Sequence, residues 1–312
     1  MSSYLGVEIG GTKLQLVVFD EEMAVQMRLR YAIEPERGAA AIRANMEAAV
    51  AEILQKQPVT AAGIGFGGPV DWQNGTIGKS YHVAGWTDFP LAAWLSERLG
   101  CPAFLENDAN VAALGEAVCG AGQGQNPVFY VTMGSGVGGG LVVDNEIYHG
   151  VSPGEVEFGH VRLDKRGTTL QSACAGWAVD AQIRQAVAAE PNGLLAQLTA
   201  GQTRGEARWL LPAVQQGDVA AQRIFDRLCD NTAFALSHTV HLFHPATVVV
   251  GGGLSLMGEP FRTEISEKLP DYLMDAFRPG PAVRLSQLAK DAVPVGAAVL
   301  AMRRIEPSVA SR

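Results

Sequence analysis

Apolar and β-branched residues dominate positions 4–19 and are interrupted once, by the polar turn Gly10-Gly11-Thr12-Lys13. Two short apolar runs on either side of a glycine turn predict a β-hairpin, not a strand that feeds a helix. Residues 38–57 then place apolar side chains at helical spacing, and the apolar run at 59–66 predicts a strand. The first part of the chain is therefore expected to form an α/β unit.

A similar order of elements returns further along the chain. The predicted elements are a helix at 90–99, a strand at 101–106, a helix at 110–118, a strand at 128–132, a glycine loop at 134–140, a strand from 141, a long helix at 218–243, a strand at 247–250 and a helix from 293. Two α/β halves of related layout, without a proline-rich linker, predict a bilobed protein with a cleft.

Composition narrows the function classes. The chain has 312 residues, of which 47% are apolar, and a formal net charge of −8 without a concentration of Lys and Arg. This argues against a nucleic-acid partner. The N-terminus lacks a leader pattern and no apolar run approaches a membrane span, so we expect a soluble, cytoplasmic protein with no membrane partner. The four widely spaced cysteines are expected to be reduced.

The glycine loops must be weighed against two nucleotide-binding motifs. Gly134, Gly136 and Gly139 match G-x-G-x-x-G, but the following residues predict a strand and not the helix that a dinucleotide site requires. The turn at 10–13 lacks the order of a Walker A loop. Turns rich in Gly, Thr and Ser can instead offer backbone N–H groups and hydroxyls to phosphate. The alternative for either turn is a purely structural role.

Eight short motifs occur in an order that resembles the ROK family of sugar kinases and related repressors. The motifs are E-I-G-G-T-K (8–13), G-I-G-F-G-G-P-V-D (63–71), G-W (85–86), E-N-D-A-N (106–110), T-M-G-S-G-V-G-G-G (132–140), E-F-G-H (157–160), V-G-G-G (250–253) and D-A-V-P-V-G-A (291–297). The resemblance covers essentially the whole chain. It implies a two-domain α/β fold of the actin-like (ribonuclease-H-like) ATPase type, with ATP and sugar in an interdomain cleft.

Domain boundaries and assembly follow from the same resemblance. We expect a smaller α/β domain from residues 1–107 plus about 294–312, and a larger α/β domain from residues 108–293. The resemblance also implies a homodimer, although no interface residue can be named from the sequence.

Asp108 is the candidate catalytic base. It follows a predicted strand in the pair Asn107-Asp108, where a carboxylate can reach a substrate. Transfer of a phosphoryl group to a sugar requires a group that accepts the hydroxyl proton. The resemblance assigns that role to the aspartate at this position. The structural alternative is that Asp108 caps the helix predicted at 110–118.

Glu157 and His160 are the candidate sugar-binding pair. Their spacing of three brings a carboxylate and an imidazole together on a turn or short helix. The alternative from the residues alone is a surface glutamate and a buried structural histidine. The resemblance makes both of them sugar contacts, together with Asn107, Asp108 and a backbone contact near Gly68. Such residues set selectivity among hexoses but do not identify the preferred one.

The resemblance also assigns an ATP-binding set. Its members are Gly10, Gly11, Thr12 and Lys13 in the first turn, Thr132, Gly134, Ser135 and Gly136 in the second turn, and Gly251, Gly252 and Gly253 beside the adenosine. Mg²⁺ is expected to bridge the nucleotide phosphates and to be held mostly through water, with Glu8 as an outer ligand.

Two features depart from the family pattern. Glu8 stands where the usual motif has aspartate. Many members also carry zinc-binding cysteines after the E-x-G-H histidine, and those positions fall here near Leu170, Ser172 and Trp177, leaving only Cys174. We therefore predict no zinc, with Trp177 packed where the metal would have ordered the loop. Asp180 is a candidate replacement for the acid that ends the family motif.

The main functional interpretation is an ATP-dependent hexose kinase, an enzyme that phosphorylates O6 of glucose or of a close relative. The alternatives are a fructokinase, a mannokinase or an N-acetylhexosamine kinase of the same family. A different class is a non-catalytic sugar-sensing protein, but the first turn begins at residue 10 and leaves no room before it for the DNA-binding domain of the related repressors.

Overall fold

The computed structural model describes residues 2–78, 83–151 and 156–305. The chain divides into two compact units. We call Met1–Gly124, Gly140–Val156 and Gln287–Arg312 the first unit, and Gln125–Gly139 and Glu157–Ser286 the second unit.

Twelve strands are present in the described residues. They are β1 (Tyr4–Ile9), β2 (Lys13–Phe19), β3 (Val25–Ala32), β4 (Ala61–Phe66), β5 (Val70–Asp71), β6 (Thr76–Ile77), β7 (Ala103–Asn107), β8 (Val128–Met133), β9 (Val137–Val143), β10 (Glu146–Ile147), β11 (Thr247–Gly251) and β12 (Ala282–Leu285).

Ten α-helices are present in the same residues. They are α1 (Gly38–Lys56), α2 (Leu91–Leu99), α3 (Asp108–Cys119), α4 (Leu170–Cys174), α5 (Gly176–Ala189), α6 (Leu194–Leu198), α7 (Leu210–Gln215), α8 (Val219–Phe243), α9 (Glu259–Lys268) and α10 (Ala292–Ile305).

The first unit is built on a five-stranded sheet in the order β3-β2-β1-β4-β7. β1 and β2 are antiparallel, which confirms the predicted hairpin around residues 10–13. β1, β4 and β7 run parallel, so their carboxyl ends lie at one edge of the sheet. Alternate residues of these strands face opposite sides of the sheet. Leu5, Val7 and Ile9 belong to the apolar core that also contains the buried residues of α1 and α2.

The opposite face of this sheet is lined by glycines. Gly6 of β1 and Gly63 of β4 are paired in register. A Cβ atom at Gly6 would overlap the carbonyl of Pro294, and one at Gly63 would overlap the carbonyl of Ala297. A Cβ atom at Gly296 of α10 would likewise overlap the carbonyl of Val111 in α3. The missing side chains therefore let α10 lie directly on the sheet and against α3.

The second sheet has the order β10-β9-β8-β11-β12, and β11 runs parallel to both β8 and β12. The long helix α8 begins at its cap Asp218, whose side chain accepts from the backbone N–H of Ala221 at 2.8 Å. Its apolar stripe, including Ile224, Leu228 and Leu236, is buried. The predicted helix at 218–243 is therefore confirmed within one residue.

The predicted glycine loop at 134–140 is shorter than expected. β9 begins at Val137, so the turn consists of residues 134–136. Gly140 lies within this strand. The position requires glycine because a Cβ there would stand 2.7 Å from Ala113 Cβ and 2.9 Å from the carbonyl oxygen of Ala109. The glycines at 138–140 thus belong to a strand, and the structure confirms that no helix follows the turn.

Two further features concern the boundaries of the units and their helices. The first unit continues past residue 107 to Gly124, so Asn107 and Asp108 lie in the same unit. Of the segment 294–312 that was predicted to complete the smaller domain, residues 306–312 lie outside the described residues. Among the helices that the structure describes, none is both long and apolar enough to cross a membrane.

The glycine face predicts a specific sensitivity to added side chains. Gly63→Ala should lower the free energy of unfolding by about 2 to 3 kcal/mol, because the methyl group collides with backbone that cannot rotate away. Gly11→Ala is the matched control, since a Cβ there meets nothing within 4 Å. Denaturant-unfolding midpoints of the two variants check this expectation. Equal midpoints would show that α10 does not depend on the glycine face.

Candidate functional site

In the first unit, three predicted site segments meet at the carboxyl ends of β1, β4 and β7. The backbone N–H of Gly67, which follows β4, donates to the carbonyl of Ile9 at 2.9 Å. A Cβ on Gly67 would lie 3.2 Å from Asp108 Oδ2 and 3.6 Å from the Cα of Gly10. The candidate base therefore lies beside the first glycine turn. Ligands of open α/β sheets bind at this edge.

Asp108 is the first residue of α3, and it is not the cap of that helix. The cap is Asn107, whose Oδ1 accepts from the backbone N–H groups of Ala109 at 2.9 Å and Asn110 at 3.3 Å. The structural alternative for Asp108 is therefore wrong, because the neighbouring amide already fills the capping role. In the first turn of a helix, the positive end of the helix dipole favours the charged carboxylate.

Asn107 also connects the sugar-site candidates of the first unit. Its Nδ2 donates to the carbonyl of Gly68 at 3.3 Å. One amide side chain thus fixes both the start of α3 and the turn after β4. The structure brings Gly68, Asn107 and Asp108 together, as the predicted sugar set requires. The contact of Asn107 with sugar itself stays a prediction.

The first glycine turn is open to solvent. The N–H of Gly10 donates to the carbonyl of Lys13 at 3.0 Å, which closes the hairpin. Gly11 and Thr12 are exposed, and nothing lies within 4 Å of the Cβ position at Gly11. A phosphate group could approach this backbone without a steric clash. The glycines are therefore suited to a nest-like anion site.

Glu8 and Lys13 form a charge pair at the base of this turn. Lys13 Nζ lies 2.8 Å from Glu8 Oε2, and the buried Gln15 donates to the same oxygen at 3.0 Å. Burial raises the pKa of the Glu8 carboxyl above its ordinary value, and the hydrogen bond and charge of Lys13 partly oppose that rise. A buried carboxylate of this kind gains from a nearby cation. Its chemistry fits an outer contact with Mg²⁺.

In the second unit, the second turn and the glycines after β11 lie side by side. β8 and β11 are parallel, with Gly251 opposite Thr132. A Cβ on Gly134 would lie 3.7 Å from the backbone nitrogen of Gly253. The exposed residue of the turn, Ser135, lies between Gly134 and Gly136. Two of the three predicted ATP-binding segments therefore meet at the carboxyl ends of β8 and β11.

The three glycines at 251–253 are under different structural constraints. A Cβ on Gly251 would collide with the ring of Tyr130, and Gly252 has a φ of +82° and lies against the backbone of Met133. Both positions therefore need glycine for packing alone. Nothing lies within 4 Å of the Cβ position of Gly253. Gly253 is the member of this set with room for a ligand.

Glu157 and His160 form a pair in the second unit, where Glu157 directly precedes the short 3₁₀ helix Phe158–His160. Glu157 Oε2 lies 3.2 Å from His160 Nδ1, and both side chains are about two-thirds exposed. The intervening Phe158 is buried edge-to-face against Phe129 of β8. A Cβ on Gly159 would overlap the carbonyl of Val137. Phe158 and Gly159 therefore anchor the short helix. Because His160 is exposed, the alternative of a buried structural histidine is wrong.

Hydrogen bonds fasten the 170–177 segment to the second turn. Gln171 Oε1 accepts from the N–H of Val137 at 3.0 Å, and the N–H of Gly176 donates to the carbonyl of Gly134 at 2.7 Å. Both bonds fix the second turn. Sequence reasoning missed Gln171, because a single glutamine between predicted elements carries no pattern.

The expectation for Trp177 needs correction, and the role of Asp180 as the replacement acid stays a prediction. Trp177 is 52% exposed and is not packed where a metal would lie; Leu170 and Cys174 are buried instead. Asp180 is buried, and it accepts from the N–H groups of Gly205 at 2.8 Å and Ala207 at 2.7 Å. Asp180 therefore anchors the chain at residues 205–207 onto α5. Both carboxylate oxygens already have backbone donors.

Comparison with known proteins assigns the family. A family model described as the ROK family matches residues 4–304. The chain therefore belongs to the ROK family. The predicted recognition from eight short motifs is confirmed.

Three relatives illustrate the likeness. The glucokinase of Thermotoga maritima is 30% identical over 309 residues, covering 96% of this chain and 98% of the relative. The N-acetyl-D-glucosamine kinase of Citrobacter koseri is 32% identical over 290 residues, with coverage of 88% and 91%. The crystal structure of a ROK family glucokinase from Streptomyces griseus, in complex with glucose and AMPPNP, has a TM-score of 0.84 and 32% identity. It covers 97% of this chain and 100% of that one, and the predicted fold class is confirmed.

The ligand chemistry of the 170–177 segment predicts that zinc is not needed. Burial raises the pKa of the Cys174 thiol to about 12, which disfavours the thiolate that zinc requires. Across the described parts of the chain, no group of three His, Cys, Asp or Glu side chains is placed to hold a metal. Mass-spectrometric metal analysis should find substoichiometric zinc, and a chelator should leave the melting temperature unchanged.

Cys174→Ser provides the control for this measurement, because it removes the one remaining thiol of the segment. Its zinc content should equal that of the unmodified protein. Stoichiometric zinc that survives dialysis and falls in Cys174→Ser would contradict the assignment.

Proposed function

We propose that this protein is an ATP-dependent hexose kinase that transfers the γ-phosphoryl group to a sugar hydroxyl, with O6 of glucose as the first candidate acceptor. The observation that carries the proposal is the position of Asp108 beside Gly67 and Gly10 at one edge of the first sheet. The similarity to two kinases that act on hexoses supports the same reaction class.

The sugar end of the reaction depends on Asp108. Its carboxylate accepts the proton of the attacking hydroxyl as the bond to phosphorus forms. The other proposed sugar-binding groups are Asn107, the backbone near Gly68, Glu157 and His160. Hydroxyl-reading groups of this kind reject sugars that leave them unpaired, so they determine selectivity.

The nucleotide end depends on the two glycine turns. The proposed ATP-binding residues are Gly10, Gly11, Thr12 and Lys13 in the first turn, Thr132 with residues 134–136 at the second turn, and residues 251–253. The open backbone at Gly11 and Gly253 supports this assignment. Lys13 would exchange its contact with Glu8 for a phosphate oxygen. Glu8 would then serve as an outer contact for Mg²⁺, which supplies charge neutralisation on the phosphates.

A second candidate acceptor is an N-acetylhexosamine. It is favoured by the 32% identity to the N-acetyl-D-glucosamine kinase of Citrobacter koseri, which is comparable to the identity with the glucokinases. Nothing in the described residues of the sugar set separates the two acceptors. A homodimer and a cytoplasmic location, which family membership implies, complete the proposal.

The proposal predicts a large and specific effect of Asp108→Asn. Turnover of ATP in the presence of Mg²⁺ should be measured by coupled ADP detection with glucose, fructose, mannose, N-acetylglucosamine and N-acetylmannosamine. At least one sugar should support turnover, and Asp108→Asn should reduce kcat by roughly 10²-fold or more, because the amide cannot accept the hydroxyl proton. The exposed Asp271, changed to Asn, is the matched control and should retain full activity.

Two results would contradict this account. Retention of kcat in Asp108→Asn would remove the proposed base. Absence of turnover with every sugar, while calorimetry detects sugar binding, would favour the non-catalytic sensing function.

A further inference from the structure

A buried carboxylate lies directly behind the candidate base. Glu106 precedes Asn107 and Asp108 at the end of β7, and its side chain is 2% exposed. Oε1 accepts from the backbone N–H of Asn107 at 2.8 Å and from Nδ2 of Asn110 at 3.1 Å. Burial of a carboxylate without several donors is costly, so these bonds define its position.

The second oxygen of Glu106 is held by His149, which is distant in sequence. His149 Nε2 donates to Glu106 Oε2 at 2.5 Å, and the imidazole is 15% exposed. The ring stacks on Trp72 with centroids 4.0 Å apart and planes at 17°. The guanidinium of Arg304 lies 5.3 Å from the Trp72 ring centroid. Four remote segments of the first unit are therefore linked in one chain of contacts, from Glu106 through His149 and Trp72 to Arg304.

These contacts bear on both parts of the sugar set in the first unit. Glu106 holds the backbone of Asn107, and the amide of Asn107 holds Gly68. Trp72 directly follows β5, which itself follows the Gly67-Gly68 turn. The first glycine turn has a separate set of bonds, through Gly10, Lys13, Glu8 and Gln15. Glu106 thus bonds directly to Asn107 and through it reaches Gly68, whereas its link to the first glycine turn is less direct, through the bond from Gly67 to Ile9.

We propose that Glu106 and His149 are positioning residues that hold Asn107 and Gly68 in the geometry required for sugar binding. The proposal rests on the proposed sugar-kinase function. His149 supplies one hydrogen bond and one stacking surface, and the hydrogen bond is the part that matters for the sugar. Its loss leaves Glu106 Oε2 buried without a donor, so the carboxylate relaxes and carries the Asn107 backbone with it.

A purely structural cluster would behave differently. Any disruption of the aromatic stack would then lower stability, without a selective change in the apparent affinity for sugar. The two roles are separable because His149 can lose either contribution alone. His149→Phe keeps a ring that can stack on Trp72 but removes the donor. His149→Gln removes the ring but keeps an N–H donor close to the position of Nε2.

The experiment compares KM for sugar and KM for ATP in these two variants, using the sugar with the highest turnover. His149→Phe should raise KM for sugar roughly tenfold and leave KM for ATP within about twofold, because misplacement is confined to the sugar segments. His149→Gln should recover most of the sugar affinity even where its melting temperature is lower. His241→Phe, the same change in the second unit, is the control and should leave both constants unaltered.

The outcomes separate this inference from the proposed function. Equal sugar KM in His149→Phe and the unmodified enzyme would overturn the inference while leaving the kinase function intact, as would equal increases in both KM values. If no sugar supports turnover, the kinase function fails, and calorimetric sugar affinities of the same variants decide the inference by the same criterion. Absence of sugar binding in the unmodified protein would overturn both.

Discussion

The close approach of helices to the glycine-lined face of the first sheet is the constraint on which the site depends. A Cβ on Gly65 would lie 2.5 Å from Val293, 2.7 Å from Val111 and 3.4 Å from the Cα of Asp108. Only hydrogen at this position lets α3 begin so near β4. Asp108 comes beside Gly67 for that reason, and the position of the candidate base is therefore a consequence of packing on this glycine-lined face of the sheet.

The polar groups around Asp108 are organised in successive shells. Asn107 caps the helix and holds Gly68, Glu106 holds the backbone of Asn107, and His149 holds Glu106. These bonds give partners to groups that are buried or partly buried. In the second unit, hydrogen bonds of Gln171 and of the N–H of Gly176 hold the second turn in the same way.

The sequence was informative where a feature is local. The hairpin at residues 10–13, the long helix at 218–243 and the strand that precedes Asp108 each follow from spacing and turn residues within a short window. The candidate site residues Gly10, Gly68 and Asp108 also came from short motifs, and each motif lies where a strand of the first sheet ends. Local patterns therefore carried most of the fold and the choice of candidate residues.

Remote pairs carried no comparable signal. The meeting of Glu106 with His149, and of Gln171 with Val137, joins positions 43 and 34 residues apart through single side chains. The choice between Asn107 and Asp108 as helix cap depends on backbone angles, since both residue types are favoured caps. Trp177 was misplaced because a large apolar side chain is usually buried, whereas Leu170 and Cys174 already fill that part of the core.

A crystal structure with glucose, Mg²⁺ and a non-hydrolysable ATP analogue tests the central claim most directly. The account predicts a carboxylate oxygen of Asp108 within about 2.6 to 3.2 Å of a single sugar hydroxyl, with the γ-phosphate of the analogue in line with that hydroxyl. A sugar bound away from Asp108, or a ternary complex in which this carboxylate contacts only protein, would contradict it.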